Sequence, residues 1–172
     1  VCPACGGSPA GDEGAGLRCA PRARLSPVCD QVPELLLAPS RAEQKTKELY
    51  ADIWDKHEPS PRQGGYRAPA TSHIELLLLA ANSELVQGSA GIDAGCGNGR
   101  GTLALARRHA GVRFIGIDLA ASIRRAAAQA ENPPNLRYVQ GNLLELPLAR
   151  HAFDFVYSFG VLHHTRDPRA AF

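Results

Sequence analysis

Methionine is absent from all 172 residues, tryptophan occurs once, and Phe, Tyr and Trp together make up only 6% of the chain. An open reading frame begins with methionine, so Val1 reads as something other than a native start and the chain reads as a fragment. Long hydrophobic runs are also lacking. The most notable, from Leu76 to Ala81, falls far short of the roughly 18 residues a membrane span needs. No basic stretch followed by an apolar one opens the chain, so a secretory leader has no support. Charge of one sign is missing too: 19 basic against 17 acidic side chains leave +2, too little to demand nucleic acid or an anionic membrane. What is present is ordinary for a globular protein, with 44% hydrophobic and 21% charged residues.

The cysteines are distributed unevenly. Four of the five, Cys2, Cys5, Cys19 and Cys29, precede residue 30 in a stretch rich in Gly and Pro, and only Cys96 follows. This asymmetry marks residues 1–35 as a small unit with its own chemistry. Residues 36–71 read as a helical linker, with a helix over Arg41–Lys56 ended by the prolines at 59 and 61. Residues 72–86 form an apolar run suited to a buried helix, opened by Ser72 and Glu75 at capping-box spacing.

From residue 90 the pattern changes. Short apolar runs at 90–94, 112–117, 136–139 and 153–158 alternate with Ala-rich helical segments at 102–109 and 121–130. Such alternation predicts an α/β fold: a doubly wound, Rossmann-like parallel sheet, incomplete at about four strands, covered by helices on both faces. Residues 72–172 are the expected extent of this domain.

The most informative segment is Gly91-Ile-Asp-Ala-Gly-Cys-Gly-Asn-Gly-Arg-Gly-Thr102. A strand ends at Asp93, glycines follow at 95, 97 and 99, and a helix begins near Thr102. Glycines there permit a tight strand-to-helix turn and close approach of a ligand to the backbone. The helix N-terminus behind them offers unpaired N–H groups. The dinucleotide spacing Gly-x-Gly-x-x-Gly is not completed in either register, because residue 100 is Arg and residue 102 is Thr. A nicotinamide-dependent oxidoreductase is therefore disfavoured. Asp118 closes the second strand, where a carboxylate can accept hydrogen bonds from both hydroxyls of a ribose or cap the following helix. Cys96, inside the loop, reads as a small buried filler rather than a nucleophile.

These residues resemble the class I S-adenosylmethionine-dependent methyltransferases. The resemblance covers residues 72–172 and rests on four blocks in order: the glycine loop, Gly116-Ile-Asp-Leu, Gln140-Gly-Asn-Leu-Leu-Glu-Leu-Pro, and Phe153-Asp-Phe-Val-Tyr-Ser-Phe-Gly-Val-Leu-His-His. It implies that Asp93, Gly95, Gly97 and Gly99 surround the methionine moiety of S-adenosylmethionine and that Asp118 holds the ribose. Leu119 would flank the adenine, Asn142 and Leu143 would meet its edge, and Ser158 would complete the cofactor site. Family members more often carry Asp at position 142; Asn keeps an acceptor and adds a donor.

The fourth block resembles the branch that methylates small molecules, which implies a small-molecule acceptor; the net charge of +2 speaks against a nucleic-acid partner, and a Rossmann-type enzyme of this family is expected in the cytoplasm. The Asn/Asp-Pro-Pro-aromatic cluster of amide- and exocyclic-nitrogen methyltransferases is missing, and Asn132-Pro-Pro-Asn135 reads as a loop ahead of the third strand. His163 and His164 are the residues that could act as a general base, or they could simply pack beside the cleft. Two other functions compete: a ribosomal RNA methyltransferase, and a non-catalytic binding module.

The N-terminal unit is similar to the zinc-ribbon-like segment that precedes some bacterial methyltransferases. Cys2 and Cys5 form one Cys-x₂-Cys knuckle, and Cys19 should open a second. Its fourth ligand would stand at residue 22, which is Arg and cannot coordinate zinc. A zinc ion on Cys2, Cys5 and Cys19, a decayed ribbon packed as a loop, and a disulfide all remain open. The chain stops at Asp167-Pro-Arg-Ala-Ala-Phe172, an N-cap, a first-turn proline and one helical turn, which leaves the fourth strand as an apolar edge.

Overall fold

The computed structural model describes residues 1–12, 16–56, 84–128 and 132–172. The helix expected at 72–86 lies outside the described residues, except for its last three positions, which are not helical.

The central sheet is built from the segments whose side chains are apolar on both faces. Strands β6 (Ala90–Ala94), β7 (Arg113–Asp118), β8 (Leu136–Gly141) and β9 (Phe155–Tyr157) run parallel, in the spatial order β8-β7-β6-β9. Every residue of β6 is buried, as expected of a strand paired on both sides and covered above and below. Helices α2 (Arg100–Arg108) and α3 (Ile123–Ala127) are the crossovers, and they bury Leu103, Leu105, Ala106, Ile123 and Ala126 against the sheet. Asn135 fixes the loop ahead of β8 by donating its amide to the carbonyls of Ala106, His109 and Val112 at the end of α2. Residues 132–135 are thus a loop, as the proline pair predicts.

The sheet is larger than the four strands expected. A hairpin of β4 (Val28–Cys29) and β5 (Val32–Leu35) extends it beyond β8, making six strands among the described residues. Asp30 and Gln31 form its two-residue turn, both at positive φ, which matches the twist of a tight hairpin. β5 pairs parallel with β8, and Val32 and Leu35 are buried in the two cores on opposite faces. Arg124 of α3 clamps this addition by bonding both Glu34 of β5 and Gln140 of β8. Residues 28–29 and 32–35 of the expected N-terminal unit thus pair into the six-stranded sheet. The remainder of that unit is a separate antiparallel sheet of β1 (Ala10–Asp12), β2 (Gly16–Cys19) and β3 (Arg24–Ser26).

Helix α1 (Arg41–Lys56) spans the residues predicted. Ser40 and Glu43 form a capping box: the Ser40 N–H donates to Glu43 Oε2 at 2.8 Å, and the Glu43 N–H donates to Ser40 Oγ at 3.3 Å. At the far edge, β9 has no neighbour beyond it among the described residues, and Val156 is 66% exposed. Asp167 caps the closing turn α4 (Pro168–Ala171) through the Ala170 N–H.

Candidate active site

The glycine loop wraps over the end of β7. The N–H groups of Gly95 and Cys96 both donate to the Ile117 carbonyl, at 2.8 and 3.1 Å. Gly97 and Gly99 have φ of +60° and +74°, a region where a side chain is strained. Space forbids one too. A Cβ on Gly97 would lie 2.4 Å from the Trp54 ring, and one on Gly99 would lie 2.6 Å from Ala126 and 2.8 Å from Tyr138. The Tyr138 hydroxyl donates to the Gly99 carbonyl at 2.9 Å and fixes the loop from below.

Two carboxylates flank this loop. Asp93, at the end of β6, accepts from the Thr102 hydroxyl at 2.7 Å in a buried contact. Asp118, at the end of β7, accepts from the Gly97 N–H and, through its other oxygen, from the Ala120 N–H, both at 2.8 Å. The helix-turn role and a place at the loop are thus combined in one side chain. Burial pushes both groups up to about 6; Asp118 adds to the rise at Asp93, whereas the backbone N–H bonds partly offset it at Asp118. Burial and the same two carboxylates raise the Cys96 thiol well above its usual range, which suits a packed filler and not a thiolate.

A cavity of about 690 Å³ opens beside the loop, across the carboxyl ends of the parallel strands. Six predicted residues line it: Asp93, Gly95, Asp118, Leu119, Asn142 and Leu143. Gly97 and Gly99 are not among the lining residues and act through the shape of the loop. The Ser158 hydroxyl donates to the Ala94 carbonyl at 2.8 Å and lies outside the lining. His164 lines the cavity with its ring 5.5 Å from that of Tyr50, whereas His163 packs on His164 outside it.

The sequence reading missed the opposite wall, which is α1. Glu43, Lys47, Tyr50 and Trp54 of this supposed linker helix all line the cavity. Glu43 ties α1 to the strand ends: its Oε1 accepts from Asn142 at 2.9 Å and pairs with Arg166 at 3.3 Å. Hydrogen bonds from Ser40, then from Asn142, together with the Arg166 charge, hold its carboxyl down to about 2. The signal that could have placed α1 here was the Ser40-x-x-Glu43 box together with the polar and aromatic stripe at helical spacing.

In the N-terminal unit, the thiols of Cys2, Cys5 and Cys19 lie within 4.8 Å of one another, with Cys5 and Cys19 at 3.5 Å. All five cysteines are free thiols, and Cys29 does not join the cluster. The separations suit three thiolates around one zinc ion, since Zn–S bonds near 2.3 Å place sulfurs roughly 4 Å apart. No fourth Cys, His, Asp or Glu joins them among the described residues.

Residues 92–172 match the family model described as Methyltransferase domain. An uncharacterised methyltransferase of Mycobacterium tuberculosis strain H37Rv is 38% identical over 80 residues, which cover 46% of this chain and 40% of the relative. The trans-aconitate 2-methyltransferase of Deinococcus radiodurans is 39% identical over 79 residues, covering 45% of this chain and 29% of the relative. The chain thus spans well under half the length of these curated relatives. Among solved structures, the [4+2]-cyclase SpnF aligns with a TM-score of 0.55 at 21% identity, over 78% of this chain and 55% of its own, a likeness of fold alone. Residues 92–172 are thus similar in sequence to a methyltransferase domain, and the parallel α/β sheet, the glycine loop and the strand-end cavity agree with that likeness.

Proposed function

We propose that the cavity between the glycine loop and α1 binds S-adenosylmethionine and that the whole protein transfers its methyl group to a small-molecule acceptor. The observation that carries this reading is the convergence of Asp93, Gly95, Asp118, Leu119, Asn142 and Leu143 on one cavity. The cofactor supplies an electrophilic methyl group on a sulfonium. The chain's own part is to bind, orient and exclude water.

In this reading Asp93 and the loop at Gly95, Gly97 and Gly99 surround the methionine end. Asp118 accepts from the ribose hydroxyls, and Leu119, Leu143 and Asn142 meet the adenine. Ser158 contributes by holding the end of β6, through Ala94, beside the loop. Ionised Asp93 and Asp118, costly when buried alone, favour a cationic ligand. His164 is the residue that could take a proton from the acceptor, since it lines the cavity where His163 does not.

A small-molecule acceptor is supported by a cavity walled mainly by apolar and aromatic side chains and by the low net charge, and the Deinococcus relative is named for a small acceptor. Zinc on Cys2, Cys5 and Cys19 would brace the small N-terminal sheet. Calorimetric titration with S-adenosylhomocysteine, with NADH as control, tests the cofactor reading. Saturable binding of the first alone is expected; binding of NADH, or of neither ligand by a cooperatively folded chain, contradicts it.

A further inference from the structure

One face of α1 presents Glu43, Thr46, Lys47, Tyr50 and Trp54 at steps of three or four residues, and all five line the cavity. Charges on this face are unequally served. Glu43, one turn before Lys47, would be its natural partner, but the Glu43 carboxylate is taken up by the Ser40 N–H, Asn142 and Arg166. Lys47 is half-buried and has no ion pair among the described residues. The same holds for Arg100, which reaches the cavity from the first residue of α2, at the end of the glycine loop.

The lining sets three carboxylates, Glu43, Asp93 and Asp118, against three cations, Lys47, Arg100 and Arg166, and is neutral as a whole. S-adenosylmethionine carries two positive centres and one carboxylate, so with it in place the cavity holds one positive charge too many. In that reading Asp93 serves the amino-acid end, Asp118 accepts from the ribose hydroxyls, and Arg100 stands at the loop beside the cofactor carboxylate. Lys47 is then the cation with no counterpart in protein or cofactor. An ammonium drawn partly out of water beside apolar surface favours an anion.

Aromatic side chains line the same cavity. Tyr50 and Trp54 follow Lys47 on the same face, and Tyr157 and Phe159 come from the end of β9. Four such residues in one cavity are a concentration, given that they make up 6% of the chain. We propose that Lys47 receives a carboxylate on the methyl acceptor, whose planar apolar body lies among Tyr50, Trp54 and Phe159. This inference rests on the reading of the cavity as the cofactor and acceptor site.

The test is a fluorine-detected NMR titration of the full chain, saturated with S-adenosylhomocysteine, using para-trifluoromethylbenzoate and the equally shaped para-trifluoromethylbenzamide. The acid is expected to bind about tenfold more tightly than the amide, the discrimination of one charge-assisted hydrogen bond. Lys47→Gln should erase that preference and Lys47→Arg should keep it, while calorimetry shows S-adenosylhomocysteine bound equally by all three proteins. Equal binding of the two probes, or a preference that survives Lys47→Gln, overturns the inference and leaves the cofactor reading standing. A folded wild-type chain that fails to bind S-adenosylhomocysteine overturns both.

Discussion

Asp118 accepts the Gly97 N–H at 2.8 Å across 21 residues of sequence, joining the end of the second parallel strand to the middle of the glycine loop. One carboxylate thereby holds the loop, starts the turn into α3 through the Ala120 N–H, and faces the cavity. Asp118→Ala should weaken S-adenosylhomocysteine binding by about 1–3 kcal/mol, the worth of a lost charge-assisted hydrogen bond. Calorimetry decides the matter: unchanged affinity would leave Asp118 with the loop and turn roles alone.

Gly97 and Gly99 differ in what a methyl group would strike. At Gly97 the obstacle is the end of the Trp54 side chain, which can swing, whereas at Gly99 it is Ala126 and Tyr138 inside the core. Both substitutions also force a side chain into the left-handed region, at about 1–2 kcal/mol each. Gly99→Ala should therefore lower the urea midpoint more than Gly97→Ala. Gly97→Val should abolish cofactor binding and leave the far-ultraviolet circular dichroism unchanged. A Gly97→Val protein with wild-type affinity would remove the loop from the site.

Asp93 and Asp118 make stability depend on pH in an unusual direction. Their folded pKa values, about 6, lie above the ordinary 3.8, so between these values the folded chain binds more protons than the unfolded one. Stability from this pair is fully present below about pH 4 and is lost as pH rises through about 6. Glu43, held down to about 2, acts oppositely, but its stabilisation is lost only as pH falls from about 4.5 through 2. The ligand-free chain should thus lose stability from pH 4.5 to 6.5, and the Asp93→Asn, Asp118→Asn double variant should not share that loss. Urea midpoints at the two pH values check this; parallel slopes for both proteins would contradict it.

Glu43 anchors α1 over the cavity. Glu43→Ala removes the capping box and the contacts to Asn142 and Arg166, with an expected cost of about 1 kcal/mol from the cap. Hydrogen exchange should speed up in α1 while β6 and β7 keep their protection. Uniform acceleration across the sheet would mean that α1 is part of one cooperative unit with it.

The thiol cluster predicts about one zinc per chain in protein purified without chelator, and loss of that zinc in Cys5→Ser. Metal analysis of the two proteins reads this directly. A wild-type chain free of zinc after refolding with excess metal would count against the site.

The strands of the parallel sheet were legible because nearly continuous apolar runs alternated with Ala-rich helices, and β6 and α1 have the boundaries expected. The glycine spacing and Asp118 were legible because few backbones tolerate that loop. The hairpin of β4 and β5 was not, for a physical reason: its turn uses Asp30 and Gln31 at positive φ, without the glycine that usually marks such a turn. Pro33 is tolerated in β5 because it stands opposite Val28 at a position that donates nothing to β4, where Glu34 supplies the N–H to the Pro27 carbonyl, and because pairing with β8 begins only at Glu34. The role of α1 was hidden because its lining residues are mostly polar, and polarity alone reads as a solvated helix face until Asn142 and Arg166 are found against Glu43.

S-adenosylmethionine is expected to bind between the glycine loop and α1. Amide chemical-shift mapping of the isotope-labelled chain with S-adenosylhomocysteine tests it most directly, helped by a single tryptophan whose indole N–H gives one resonance. Saturable shifts are expected at Gly95, Gly97, Gly99, Asp118 and the Trp54 indole. Saturable shifts confined to other parts of the chain, with these five unmoved, would contradict it.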